Sequence, residues 1–381
     1  MMRALALAFC LLVSACATVR PISPPGMKAF ELSLATSGTD MMVAWHGGAT
    51  GRDSIYIQSL DNAGRPRGSP HQITNGARYA YEPDLQLIDG DALVAWYEKD
   101  AATGKLTAWL SRVDRNGQSI WRRQLSASEG YARNPVVRVF GNTIMVAWVE
   151  ASKGEIPSVW MSRFDLAGKS KTQPYCAGSA SANTWNLNAT VDAAGTFYVT
   201  YDARLDTQEN ELRLLAITDD GVRDIAISAD DGFASVYPDI AINRSGLAAL
   251  TWFDAKDDNK EVYLIIMPLA DLLAGKSIPA TRITHTPTPS IGAYLAWNED
   301  RLALVWCDVA EGQQELYLRM FKQGDLDQPI QRLTQTAAQS SIPSVRAHDK
   351  GFAIAWNEYQ ATGHGGHRDI QSSEASLMLV P

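Results

Sequence analysis

Val94-Ala95-Trp96-Tyr97-Glu98 decides the fold, because the chain keeps repeating it. An apolar stretch closes on an aromatic, with an acid two positions later in most copies. The other copies read Val43-Ala44-Trp45-His46, Val146-Ala147-Trp148-Val149-Glu150, Tyr198-Val199-Thr200-Tyr201-Asp202, Leu250-Thr251-Trp252-Phe253-Asp254, Leu304-Val305-Trp306-Cys307-Asp308 and Ile354-Ala355-Trp356-Asn357-Glu358. Successive aromatics are 51, 52, 53, 51, 54 and 50 residues apart. A fixed period of that length marks a repeat architecture, in which each unit buries its faces against its neighbours. Seven units of about 52 residues take about 364 residues, and the 365 residues after Cys16 leave no room for a second domain.

Within a unit the pattern is β throughout. A stretch such as Asp84-Leu85-Gln86-Leu87 leads through Asp89-Gly90-Asp91 into the Val-Ala-Trp strand. A third strand such as Ile55-Tyr56-Ile57-Gln58 follows, then the turn Asp61-Asn62-Ala63-Gly64 and a short Gln72-Ile73-Thr74. Four strands at this period are a propeller blade, and a second strand that is apolar on both faces suits blades stacked face to face. The fold predicted is all-β: a seven-bladed β-propeller of four-stranded antiparallel blades, occupying residues 20–381.

Register predicts how the ring closes. Thr74, Ser126, Thr284 and Thr334 each lie 22 residues before the next signature tryptophan, and Ser23 lies 22 before Trp45. The N-terminal segment Arg20-Pro21-Ile22-Ser23 should therefore be the outer strand of the last blade, whose other strands come from residue 341 onward. Closure removes free sheet edges, and proline is tolerated in an outermost strand. The same register puts Cys176 in the third blade and Cys307 in the sixth, nearly opposite, so both are expected to be free thiols.

The first residues read as a leader. Arg3 precedes the apolar run Ala4 to Val13, too short to span a bilayer. The run ends Leu12-Val13-Ser14-Ala15-Cys16, which resembles the lipobox of bacterial lipoproteins. The resemblance implies a signal peptide over residues 1–15, acylation of Cys16 (a palmitate-bearing anchor) and a short tether over 16–19. Ala17 after the cysteine matches lipoproteins sent to the outer membrane, so the expected place is the cell envelope, held to a membrane through lipid. The chain carries 34 Lys and Arg against 42 Asp and Glu and has no basic tract, which argues against nucleic acid as a partner.

Several blades also carry a longer phrase. Ile55-Tyr56 with Asp61 and Gly64, Trp109 with Asp114 and Gly117, and Trp160 with Asp165 and Gly168 resemble the degenerate repeats of bacterial sialidase-like (BNR-repeat) propellers. The Asp turn resembles the Asp box, which is structural in sialidases and faces away from the active site. Asp114 to Trp121 is one residue longer than that motif. A sialidase also needs three arginines, the first in an Arg-Ile-Pro context, a Tyr-Glu pair and an acid Asp. Arg20-Pro21-Ile22 has the wrong order and belongs to the closing strand, so the resemblance implies the fold and not that activity.

Candidate function sits on the face where second-to-third and fourth-to-first connections crowd the channel. Glu98, Glu150, Asp202, Asp254, Asp308 and Glu358 form a ring of repeated acids, most simply read as structural, with Glu98 and Glu150 kept as catalytic candidates. Blade one breaks the pattern with His46 and no acid, and His46 joins Glu98 and Glu150 as a catalytic candidate. Tyr79, Tyr81, Tyr131, Arg133, Trp185, Phe233 and Tyr237 gather before the first strands of consecutive blades. Flat rings beside Arg and carboxylates are what a sugar needs, so Tyr79, Tyr81, Tyr131, Arg133, Trp185 and Tyr237 are the ligand-binding candidates. The run Gly363-His364-Gly365-Gly366-His367-Arg368-Asp369 holds metal-type ligands on glycines that fix no geometry, so no metal or cofactor is assigned and the run is read as a mobile loop over the mouth. The expected function is an envelope lipoprotein that binds a glycan or a protein partner through this face. The alternative is a carbohydrate-active enzyme, a glycoside hydrolase or polysaccharide lyase.

Overall fold

The computed structural model describes residues 18–381 apart from 49–51, 128–129, 152–154, 180–181, 208, 257–258, 277–279, 323–327 and 362–369. The leader, Cys16 and the Gly-His run of the last blade therefore lie outside the described residues.

Seven four-stranded antiparallel sheets follow one another in chain order, six of them built from consecutive strands. Each sheet's first strand touches the first strands of the sheets on either side, from Lys28–Ser37 in blade one to Gln339–His348 in blade seven, and the series returns on itself. These first strands surround the central channel. The signature phrase is the second strand of every blade, as in Asp91–Lys99 and Thr143–Ala151. Trp45, Trp96, Trp148, Trp306 and Trp356 are fully buried between sheets. Each such ring removes about 150–250 Å² from water, at most roughly 4–6 kcal/mol of transfer free energy before ordering entropy is counted.

The last blade closes as the register predicts. β1 (Arg20–Pro21) pairs with β28 (Ile370–Val380), Arg20 opposite Leu377 and Pro21 opposite Ser376, and the Ile22 N–H donates to Ala375 O at 2.7 Å. Ser23 does what its counterparts do. Its Oγ accepts the Ala375 N–H at 2.9 Å, just as Thr74 accepts from Ile55, Ser126 from Ala108, Thr284 from Val262 and Thr334 from Leu316. Cys176 and Cys307 are free.

The Asp turns are local staples. Asp61 Oδ1 accepts the N–H groups of Ala63 and Arg65, and Asp114 and Asp165 repeat the arrangement. Gly64 (φ 75°) closes one such turn against the neighbouring blade, where a Cβ would come within 2.5 Å of Leu377 Cδ2. The fold is all-β as expected, with one short helix, Leu269–Leu273, at the end of blade five's third strand. Among the described residues no helix is long and apolar enough to cross a membrane.

Candidate functional site

The repeated acids lie at the ends of the second strands and not in the loops that follow them, five of them buried and Glu358 half-buried. Their partners are close at hand. The indole N–H of Trp96 donates to Glu98 (3.1 Å), Trp148 to Glu150 (2.5 Å), Trp356 to Glu358 (2.7 Å) and Trp252 to Asp254 (3.5 Å). An acid two residues after a strand tryptophan shares its face, so the pairing follows from the period of two. Glu98 also takes Arg122 at 2.7 Å, and Glu150 accepts the Ala127 N–H at 3.0 Å. Asp308 accepts from Ser290 at 2.7 Å. The ring thus satisfies buried donors in most blades, although the Trp306 indole N–H in blade six makes no hydrogen bond among the described residues.

Two members differ. Asp202 follows its aromatic by one residue, which turns its carboxylate to the opposite face of the strand. In blade one Gly47 stands where the acid would be. Its φ is 146° and a Cβ would meet Lys28 O at 2.0 Å, so no side chain fits, and Trp45 Nε1 is left buried without a partner. His46 is the polar group this blade supplies instead.

The channel mouth is built from a feature every first strand shares. Each has a register irregularity near its start, between Phe30 and Ser33, Tyr81 and Asp84, Arg133 and Val136, Thr184 and Leu187, Val236 and Asp239, Ile291 and Tyr294, and Ser341 and Ser344. In six blades the residue inside it is left-handed: Glu31 (φ 50°), Glu82 (49°), Asn134 (49°), Tyr237 (56°), Gly292 (61°) and Ile342 (49°). Proline follows four of them, acceptable because a bulge leaves that position outside the ladder. Non-glycine residues held there are strained, and such strain gathers at functional sites. Two residues further in, Ser344, Ser33, Asp84 and Asp239 each accept the N–H of the next blade's strand, at 3.1, 3.0, 2.7 and 2.7 Å. Asp84 also holds Arg138 at 2.7 Å. This layer fixes the channel wall beneath the mouth.

What occupies the strained column is not symmetric. Glu31 and Glu82 stand side by side in blades one and two. Tyr97 OH donates to Glu82 Oε1 at 3.4 Å, and His46 Nε2 lies 3.1 Å from Glu31 Oε2, within ion-pair range but without hydrogen-bond alignment. Enclosure in the channel pushes the Glu82 carboxyl up to about 8, with the Glu31 charge adding to the rise and Arg133 opposing it. Tyr97 is pushed far above the usual phenol range by burial and then by Glu82.

Aromatic rings surround this core. Tyr81 meets the His46 ring edge-on at 5.2 Å and tilts against Tyr97 at 5.4 Å, while Tyr79 stacks on Tyr81 at 6.4 Å. The Arg133 guanidinium lies 5.6 Å from the Tyr131 ring and 5.0 Å from Trp185, and donates to Trp185 O at 2.9 Å. Among the described residues, buried polar atoms without hydrogen-bond partners collect here: both His46 ring nitrogens, Arg133 Nε, Asn134 Oδ1 and Asn357 Oδ1. Unmet donors and acceptors beside flat rings suit a hydroxyl-rich ligand. Among the described residues no group of three or more His, Cys, Asp or Glu side chains is placed to hold a metal.

The structure therefore brings His46, Tyr79, Tyr81, Tyr131, Arg133, Trp185 and Tyr237 to one mouth, within or at the start of strands and not in the preceding loops. Glu98 and Glu150 are engaged by their own tryptophans. Sequence reasoning missed Glu31, Glu82 and Tyr97. The signal was available: the residue 14 before the signature tryptophan is Glu, Glu and Asn in blades one to three, a column of its own.

Fold and site define a seven-bladed propeller with one unsymmetrical mouth, in which Glu31 and Glu82 stand in neighbouring blades. Its architecture is that of the sialidase-like propellers, at the level of fold. It is similar to the polysaccharide lyase Uly1 (11% identity, 92% of this chain and 90% of that one, TM-score 0.58). It is similar also to the Penicillium chrysogenum alpha-L-arabinanase (13%, 78% and 92%, 0.56) and to the phage phi92 endosialidase (11%, 96% and 69%, 0.53). Scanning the sequence against family models and against curated proteins gives no match.

Proposed function

We propose that this is an envelope-anchored propeller that binds a glycan at its channel mouth and acts on it by acid–base chemistry of the glycoside-hydrolase kind. Glu82 carries the proposal: a carboxyl that keeps its proton to about pH 8, beside a second carboxyl, at one place in an otherwise repetitive ring. Glycosidic cleavage needs one carboxylic acid to protonate the leaving oxygen and a second carboxylate acting on the sugar from the other side. Two carboxyls in different surroundings, Glu82 beside Tyr97 and Glu31 beside His46, supply those roles. Glu82 is the acid, Glu31 beside His46 is the base or nucleophile, and Arg133 and Asn134 bind hydroxyl or carboxylate groups while the tyrosines cover C–H faces. Structures with this fold include proteins named as a lyase, an arabinanase and an endosialidase, and the fold suits such chemistry without granting it.

A second reading is β-elimination from a uronic-acid polymer, favoured by His46 and Tyr81 in ring contact with each other and by Arg133, which lies over Tyr131 in blade three. Capture of a glycan or an envelope protein without turnover is the third. Product analysis after a glycan-array screen separates them: new reducing ends without unsaturation for hydrolysis, an unsaturated sugar for elimination, retention alone for binding. The anchor is tested by fatty-acid labelling, expected for the wild type and lost in Cys16→Ser.

A further inference from the structure

Of eleven tryptophans and thirteen tyrosines, only Trp185 and Tyr237 are exposed among the described residues, at 44% and 51%. They come from neighbouring blades, and one carboxylate holds both. Asp202, fully buried, accepts the backbone N–H groups of Trp185 (3.3 Å) and Asn186 (3.1 Å), the Asn186 side-chain amide (2.7 Å) and, across the seam, the Tyr237 N–H (3.1 Å). Each ring is also backed on one side, Tyr237 by Phe253 stacked at 5.3 Å and Trp185 by the Arg133 guanidinium at 5.0 Å. Tyr237 keeps this position with a left-handed backbone, φ 56°. A ring needed only for packing would be buried; these two are anchored, backed on one side and exposed, and Tyr237 is strained as well.

From this we infer that Asp202 positions a two-ring sugar platform, so that the ligand is an oligosaccharide chain running from Glu82 in blade two across Arg133 to blades four and five, and not a single sugar. The inference rests on the carbohydrate reading of the mouth and adds chain length to it. Aromatic faces stack on the C–H faces of sugar rings, and rigid backing lowers the ordering cost of doing so. Asp202 is the one acid of the ring turned to this face, and the broken symmetry of blade four is explained by the platform it holds.

The test is binding of a graded series, disaccharide to hexasaccharide, of neutral and uronic-acid oligosaccharides to the full chain, read by calorimetry and by tryptophan fluorescence. Wild-type affinity is expected to rise with length. Trp185→Ala and Tyr237→Ala, both exposed and so compatible with folding, should each weaken the hexasaccharide about three- to tenfold more than the disaccharide. Asp202→Asn should shift the same length dependence, which a merely structural role would not do. Loss that is equal at every length, or no loss, overturns the platform while leaving the mouth as a carbohydrate site. Failure of every oligosaccharide to bind the wild type removes the carbohydrate reading and the platform with it.

Discussion

Glu150 and Glu82 are both glutamates at the ends of propeller strands, and they teach opposite lessons. Glu150 sits behind a buried tryptophan, takes the indole N–H at 2.5 Å, and has equivalents in several other blades. Glu82 sits one strand further in, in a strained bulge, and touches residues of blade two while feeling charges from blades one and three. Burial raises the proton affinity of both, but two hydrogen bonds oppose the rise at Glu150, whereas Glu31 reinforces it at Glu82. A residue repeated by symmetry satisfies the fold. A residue that departs from it is free to do chemistry.

That contrast can be broken by substitution. The largest effect is expected on turnover: Glu82→Gln should lower the rate on any glycan the wild type cleaves by about 10²- to 10⁴-fold, the range of a lost general acid, while Glu150→Gln stays within a few-fold. On stability the order reverses. Trp148→Ala empties a fully buried site and should cost about 3–5 kcal/mol by denaturant unfolding, and Glu150→Ala, which strands two donors, about 1–3 kcal/mol. Glu82→Gln should be nearly neutral at low pH.

The pH dependence sharpens the same point. The folded state holds the Glu82 proton to about 8, whereas an unfolded chain releases it near the ordinary glutamate value of 4.5. Between those values the native state binds the extra proton, so wild-type stability falls as pH rises through the window. Thermal melts should therefore show Tm of Glu82→Gln climbing relative to wild type from about pH 4.5 to about pH 8. Glu211, raised to about 7, and Asp239, raised to about 6, titrate in both proteins and cancel from the difference.

The smallest expected effect tests ring closure. Ser23→Ala and Thr74→Ala each strand one backbone N–H in equivalent outer-strand positions of different blades. Both should cost about 1 kcal/mol by the same denaturant assay. A large loss at Thr74 with none at Ser23 would mean that the seam contributes nothing to stability.

What could be read from the sequence follows from periodicity. Strand alternation and the buried aromatic recur in all seven blades and the Asp-x-x-Gly turn after the third strand in three, and repetition makes a weak local signal strong. The closing strand was readable for the same reason, since Ser23 keeps the spacing of Thr74. The rings of the mouth were readable as residue types but not as strand residues. Bulges lengthen the first strands past their apolar pattern, so Tyr79, Tyr131 and Tyr237 look like loop. Glu31 and Glu82 were hidden because the reading aligned blades on the tryptophan and its following acid, not on the column 14 residues earlier. Tyr97 was hidden in plain view inside the repeat itself, where Trp-plus-one residues point to the mouth only once the ring is assembled.

The central claim is that Glu82 carries a proton at neutral pH. Infrared difference spectroscopy of wild type against Glu82→Gln, titrated across the neutral range, reads it without any substrate. A protonated-carboxyl band present in the wild type, missing from the variant and fading only near pH 8 is the expected result. A wild type whose difference band is already gone in the ordinary glutamate range would contradict the account.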